Sequence, residues 1–136
     1  MKSKHFKIHE LVPEHIYIDY GDSAWKFIDS RLIETIDKLK EHFNLGKMTI
    51  NNYAWKGDRK WSGLRTPESP YYSETSQHSF GRAVDIVFSD YSAEEVRNYI
   101  INNPHEFPYI KGIELNVDWV HIDTRNEDYV VMFKKG

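Results

Sequence analysis

Apolar residues recur at Trp25, Ile28, Leu32, Ile36, Leu39 and Phe43, the three-and-four spacing that turns one face of a helix towards a core. Ile33 widens that stripe. The pattern predicts an amphipathic helix over residues 25–43, with Asp22 or Ser23 to cap its start and Gly46 to end it. The period then changes to two. Residues 47–53 read as a strand with Met48 and Ile50 on one face and Thr49 and Asn51 on the other. Residues 54–76 follow neither period and carry Gly57, Gly63, Pro67 and Pro70, so they predict a long loop. A loop of this length in a small domain usually serves function. Trp55, Trp61, Tyr71 and Tyr72 make it an ordered one, as a satellite core or as the wall of a binding site.

Alternation returns at residues 82–88, with Ala83, Asp85 and Val87 on one side and Val84, Ile86 and Phe88 on the other. This is a buried strand that carries one carboxylate inward. Ser92 followed by Glu95 forms a capping box, opening a short helix through Ile101 that Pro104 prevents from continuing. Three short β-type runs close the chain, over residues 112–117, 119–124 and 129–134. A helix first and strands late predict an α+β fold, an antiparallel sheet with flanking helices. No repeat, linker or low-complexity segment divides the chain, so residues 1–136 are read as one domain.

Composition narrows the chemistry. The 136 residues, 40% of them hydrophobic, are enough for one core burying roughly two-thirds of the unfolded surface. Eighteen Lys and Arg against 21 Asp and Glu give a formal charge of −3, far from the basic balance that nucleic-acid binding exploits. The absence of cysteine removes disulfides, thiolate metal sites and cysteine nucleophiles together. Any metal must therefore rest on His and carboxylate. The start, Met1-Lys2-Ser3-Lys4-His5-Phe6, is basic but lacks the apolar stretch of a signal peptide, and no apolar run approaches the roughly 18 residues of a membrane helix. Synthesis in the cytoplasm, no membrane insertion and a monomer are the expectations; a target outside the cell would need another delivery route.

The segment Ser76-Gln77-His78-Ser79-Phe80-Gly81-Arg82-Ala83-Val84-Asp85 places a histidine at a loop edge and a carboxylate in the following strand, with Gly81 allowing a tight approach between them. Asp118-Trp119-Val120-His121-Ile122-Asp123 supplies a second histidine in another strand. Two His and one carboxylate make a three-ligand set of the kind that leaves zinc a fourth position for water, which the ion acidifies for attack on a carbonyl. A carboxylate nearby is needed as general base. Asp118 precedes His121 by three positions, yet residues three apart in a strand face opposite ways. Asp118 can serve only from a bend entering the strand, and Asp123 is the rival base or a partner behind the ligand.

These residues resemble a known family. Ser76-x-His78-x-x-Gly81-x-Ala83-x-Asp85, followed by Asp118-Trp119-Val120-His121, is similar to the signature of the VanY-like zinc D-Ala-D-Ala carboxypeptidases and L-Ala-D-Glu endopeptidases, whose fold is shared with hedgehog signalling domains. Phe6-Lys7-Ile8-His9-Glu10-Leu11 resembles the family's opening, and Ser62-Gly63-Leu64-Arg65 its arginine turn. The resemblance implies zinc on His78, Asp85 and His121, Asp118 as general base, Arg65 steadying a substrate carboxylate or the oxyanion, and Ser76 holding substrate backbone. It implies a peptidoglycan stem peptide as substrate. Many phage proteins resemble this family, and the missing signal peptide is compatible with an endolysin or virion component.

Other readings compete. His5, His9, His15, His42 and His105 are isolated, and an isolated histidine is more often a hydrogen-bonded structural residue than a ligand. Arg65 could equally be solvated or paired with Glu68. Two His and a carboxylate also describe the facial triad of iron oxygenases, but the first two ligands are too far apart here and no long β-rich barrel is predicted. A metal-bearing wall-binding or virion module whose catalysis has decayed is the non-enzymatic alternative.

Overall fold

The computed structural model describes residues 1–134. A 3₁₀ turn at Ile8–Glu10 leads into a seven-residue helix, α1 (Glu14–Tyr20), and a longer 3₁₀ segment, Gly21–Phe27. The pattern of apolar positions assigns no element to α1, for a physical reason: none of its residues is buried, so it shows no stripe.

The main helix, α2, spans Ser30–His42 and starts five residues later than the apolar spacing predicts. Ile28 is extended (φ −106°, ψ 130°). Asp29 behind it caps the helix, its Oδ1 accepting from the Arg31 N–H at 3.0 Å. Trp25 and Ile28 nevertheless stay buried beside Leu32, Ile36 and Leu39. Both sides of the break feed one core, which is why the spacing continues across it. Asp22 and Ser23 lie in the 3₁₀ segment and cap nothing in α2. At the far end the chain is turned by Asn44 and Leu45, at φ 61° and 58°, before Gly46 is reached.

The first strand, β1, is only Met48–Thr49, because the backbone of Asn51 turns away to the Glu10 carbonyl and that of Asn52 to Arg59. Then follow β2 (Ala83–Phe88), α3 (Ala93–Asn102), β3 (Gly112–Leu115), β4 (Val120–Asp123) and β5 (Val131–Lys134). The Ser92–Glu95 capping box at the start of α3 is formed in both directions.

The sheet order is β1-β2-β4-β3-β5. It is mixed rather than antiparallel: β1/β2, β2/β4 and β3/β4 are antiparallel, whereas β3/β5 is parallel. The reason is occupancy. β4 already has β2 and β3 on its two sides, so a strand that reverses after β4 must go to an edge of the sheet, and here it takes the one beyond β3. It runs opposite to β4 and hence along β3. The α+β class holds; the all-antiparallel expectation does not.

Alternation along the strands gives the sheet two characters. Val84, Ile86, Ile113, Val120 and Ile122 join Leu32, Ile33, Ile36, Leu39, Val96 and Ile100 in one apolar cluster. The intervening positions include Asp85, His121, Asp123 and Glu114, all buried.

Asp29 also accepts from the Thr124 hydroxyl at 2.9 Å, across 95 residues of sequence. Burial pushes its carboxyl up, but hydrogen bonds from the Arg31 side chain and backbone and from Thr124 outweigh it and hold it below the ordinary value. Asp29→Ala should cost about 1–2 kcal/mol, or roughly 3–7 °C in Tm. Because the folded value is depressed, this contribution is complete above the unfolded carboxyl range and is lost as pH falls through the folded value. Thermal melts of both proteins at pH 7 and in acid should therefore differ at pH 7 and converge in acid.

Candidate metal centre

His78 lies in a 3₁₀ turn, Gln77–Phe80, whose start is capped by the Ser76 hydroxyl, accepting from the His78 N–H at 3.3 Å. The turn ends at Gly81 with φ 69°, a left-handed conformation that favours glycine; a Cβ there would strike the Phe27 carbonyl. Four residues further on, Asp85 stands in β2 opposite His121 in β4. The turn and the ladder thus bring three separated residues together. One ligand atom from each of His78, Asp85 and His121 lies within 4.8 Å of the others, and all three residues are buried.

The next layer orients each ligand. His78 Nδ1 is 2.9 Å from the Gly63 carbonyl; a carbonyl only accepts, so Nδ1 carries the hydrogen and Nε2 is left as the donor towards a cation. His121 Nδ1 faces Asp85 Oδ1 at 2.9 Å, and its Nε2 faces Asp123 Oδ2 at 2.8 Å. Asp123, fully buried, is gripped by Arg125 through Nε at 2.8 Å and Nη2 at 2.7 Å. This settles the position of Asp123 behind His121, the carboxylate–histidine pair that supports metal ligands. Gly112 stands opposite Asp123 in β3, and a Cβ there would overlap the carboxylate.

Arg65 completes the layer. Its Nε donates to the Trp61 carbonyl at 2.7 Å and its Nη2 to Asp85 Oδ2 at 3.1 Å. Its partner is Asp85, while Glu68 pairs with His15.

Electrostatics follow from this wiring. Burial pushes Asp85 up, but the neighbouring His121 and His78 imidazoles pull it well below the carboxylate range. Burial likewise raises Asp123, and Arg125 and His121 together bring it down to about 2. His121 is pushed down by burial and, more strongly, up to about 9 by Asp123 and Asp85. Two imidazoles and one carboxylate, preoriented and shielded from water, form a donor set that fits a divalent metal ion with a position left open.

The three ligands lie on a cleft of about 710 Å³ that also contains Arg59, Lys60, Trp61, Arg65, Tyr71, Ser76, Gln77, Glu114, Trp119, Arg125 and Phe133. The buried Oε1 of Gln77 and Nε1 of Trp119 have no hydrogen-bond partner among the described residues. Of the residues singled out in the sequence, His78, Asp85, His121, Arg65 and Ser76 meet here. Asp118 does not. It is exposed on the bend over residues 116–119 and lines a second cavity with Arg97, Asn98 and Val117. Arg59, Lys60, Glu114, Arg125 and Phe133 of this cleft carry no signal that the sequence pattern singles out. Arg125 carries no motif, and Glu114 could be found only by pairing the period-two face of β3 with that of β4. Compared with family models, with curated proteins and with solved structures, the chain gives no match.

Gly112→Ala should push a methyl group into Asp123 and loosen its hold on His121. The expected result is about 10–100-fold weaker binding of a divalent metal ion, measured by chelator competition. An unchanged affinity would remove Asp123 from the support of the site.

Proposed function

We propose that this chain is a zinc peptidase that hydrolyses an amide bond in peptidoglycan stem peptides, of the D-Ala-D-Ala carboxypeptidase or L-Ala-D-Glu endopeptidase type. The observation that carries the reading is the convergence of buried His78, Asp85 and His121 on an open, cation-rich cleft. Zinc is the ion that suits this donor set, and it would supply Lewis acidity towards the scissile carbonyl. The hedgehog/DD-peptidase fold belongs to the same proposal, supported by the sequence resemblance and by the α+β architecture.

The protein's own groups have definable tasks. Stem peptides carry free carboxylates, and in a chain of net charge −3 the cleft gathers Arg59, Lys60, Arg65 and Arg125. Arg65 holds Asp85 with one nitrogen and keeps further N–H groups for a substrate carboxylate or the developing oxyanion. A peptide amide would offer the donor and acceptor that Gln77 Oε1 and Trp119 Nε1 lack. Tyr71, whose ring lies 5.6 Å from the Arg65 guanidinium carbon, would flank the same path.

One observation favours a second reading: Asp118, the base implied by the family resemblance, lies outside the cleft. A metal-bearing wall-binding or virion module without catalysis would tolerate that.

Elemental analysis of the purified protein should give close to one zinc per chain, and His78→Ala or His121→Ala should abolish it; unchanged metal in both variants would sink the assignment. Mass spectrometry of digested cell walls should find a cut in the stem peptide with the sugar chains intact. Cleaved glycan, or no product with zinc fully loaded, would turn the argument to another enzyme or to the module.

Arg65→Ala should lower catalytic efficiency and also weaken zinc binding, because Asp85 loses its partner. Arg65→Lys should restore charge but not the forked geometry, and so recover only part of either. Steady-state kinetics beside a zinc titration would separate the two effects.

A further inference from the structure

We infer that Glu114, rather than Asp118, is the proton acceptor and donor for amide hydrolysis at this site; the inference rests on the peptidase reading above. The register carries it. Gly112 pairs with Asp123 and Ile113 with Ile122; carried one step past those pairs, the same register would bring Glu114 to His121, and both residues line the one cleft. His121 is paired in turn with Asp85, and Glu114 with Phe133 on its other side. By that register Asp85, His121 and Glu114 fall on one face of three neighbouring strands.

Glu114 is not one of the three converging donors, yet it lines the same cleft. It is only 8% exposed. The other two carboxylates of the face are tied down, Asp85 by Arg65 and His121 and Asp123 by Arg125 and His121. The Glu114 carboxylate has no hydrogen bond or ion pair among the described residues. A mostly buried carboxylate without a partner is costly to keep, and the cleft is where its partner would come from. Arg65 feels the charge of both Asp85 and Glu114, which puts the acid and the guanidinium around one space. Asp118, three positions before His121 and on the bend, is turned to the second cavity.

The step balances without any other reactant. As a water oxygen bonds to the scissile carbonyl carbon, one of its protons passes to the Glu114 carboxylate. The C–N bond then breaks and that proton goes to the departing amine nitrogen, restoring the carboxylate.

The test uses the full chain, loaded with zinc, as wild type, Glu114→Gln and Asp118→Asn. Four quantities are measured: zinc content, Tm, calorimetric affinity for an intact stem pentapeptide, and turnover of that peptide and of 4-nitrophenyl acetate. Glu114→Gln should keep its zinc, melt within a few degrees of wild type and bind the pentapeptide within about threefold. Its kcat on the peptide should fall at least about a hundredfold, a larger loss than in Asp118→Asn. A Glu114→Gln protein that turns over near the wild-type rate overturns the proposal. So does one that loses its zinc, which would make Glu114 a ligand. Failure of the peptidase reading is a different result: wild type inert on the peptide but active on the ester. The inference then stands or falls on whether Glu114→Gln slows the ester reaction. Wild type inert on both overturns it.

Discussion

His121 stands between two buried carboxylates, Asp85 on one ring nitrogen and Asp123 on the other, and much of the surrounding architecture exists to make that arrangement tolerable. Burying charge is expensive unless each charge is paired, and removing one partner is worse than never having buried the pair. Arg65 answers Asp85, Arg125 answers Asp123, and the bare backbone of Gly112 leaves room for the second carboxylate. His121 then responds by holding its proton far above the ordinary imidazole range.

The second constraint is that one sheet must serve both a core and a site. Period-two alternation does this cheaply, since the same strands give Val84, Ile86, Val120 and Ile122 to the apolar cluster and Asp85 and His121 to the cleft, with Asp123 buried behind His121. It leaves a gap at the edge, however. β1 pairs with β2 only at Met48↔Phe88 and Thr49↔Val87. Beyond those pairs the long loop takes over as a substitute strand: the Asp85 N–H donates to the Ser62 carbonyl at 2.8 Å, and Arg65 N–H to the His78 carbonyl at 3.1 Å. The same stretch presents the Gly63 carbonyl to His78 and the Arg65 guanidinium to Asp85. Its own position is fixed by Asn51, whose side chain accepts from Ser62 N–H and donates to Val12, and by Leu64 N–H on the Leu11 carbonyl.

This division explains what could be read in the sequence. Local signals survived well: the capping box of α3, the alternation of β2, the three late strands and the irregularity of residues 54–76 are all short-range physics. The meeting of His78, Asp85 and His121 was legible because their residue types are rare in combination. What failed depended on long-range context. The start of α2 was hidden because Asp29, a better cap than Asp22 or Ser23, interrupts an apolar spacing that tertiary packing continues. The mixed sheet follows from which strand edges remain free, and no local pattern carries that. Asp118 does sit on the bend before β4, as the spacing required of it, yet it is exposed there and outside the cleft, whereas Glu114 of β3 lines the cleft with His121.

Because the three candidate ligands come from a 3₁₀ turn, β2 and β4, an ion bound there would join pieces that meet only in the folded chain. The N-terminal segment is part of the same cooperative unit, through Val12 to Asn51 and Tyr53 and through Asp29 to Thr124. A ligand that binds only the native state adds RT ln(1 + [L]/Kd), about 2.7 kcal/mol when its free concentration is a hundred times Kd. For a domain whose whole margin is of the order of 5–15 kcal/mol, that is a sizeable share. Two buried carboxylates and an imidazole are a demanding set to hold together away from water. The metal would convert the least favourable region of the sheet into a crosslink, so occupancy and fold stability are linked through His121 and Asp85 themselves.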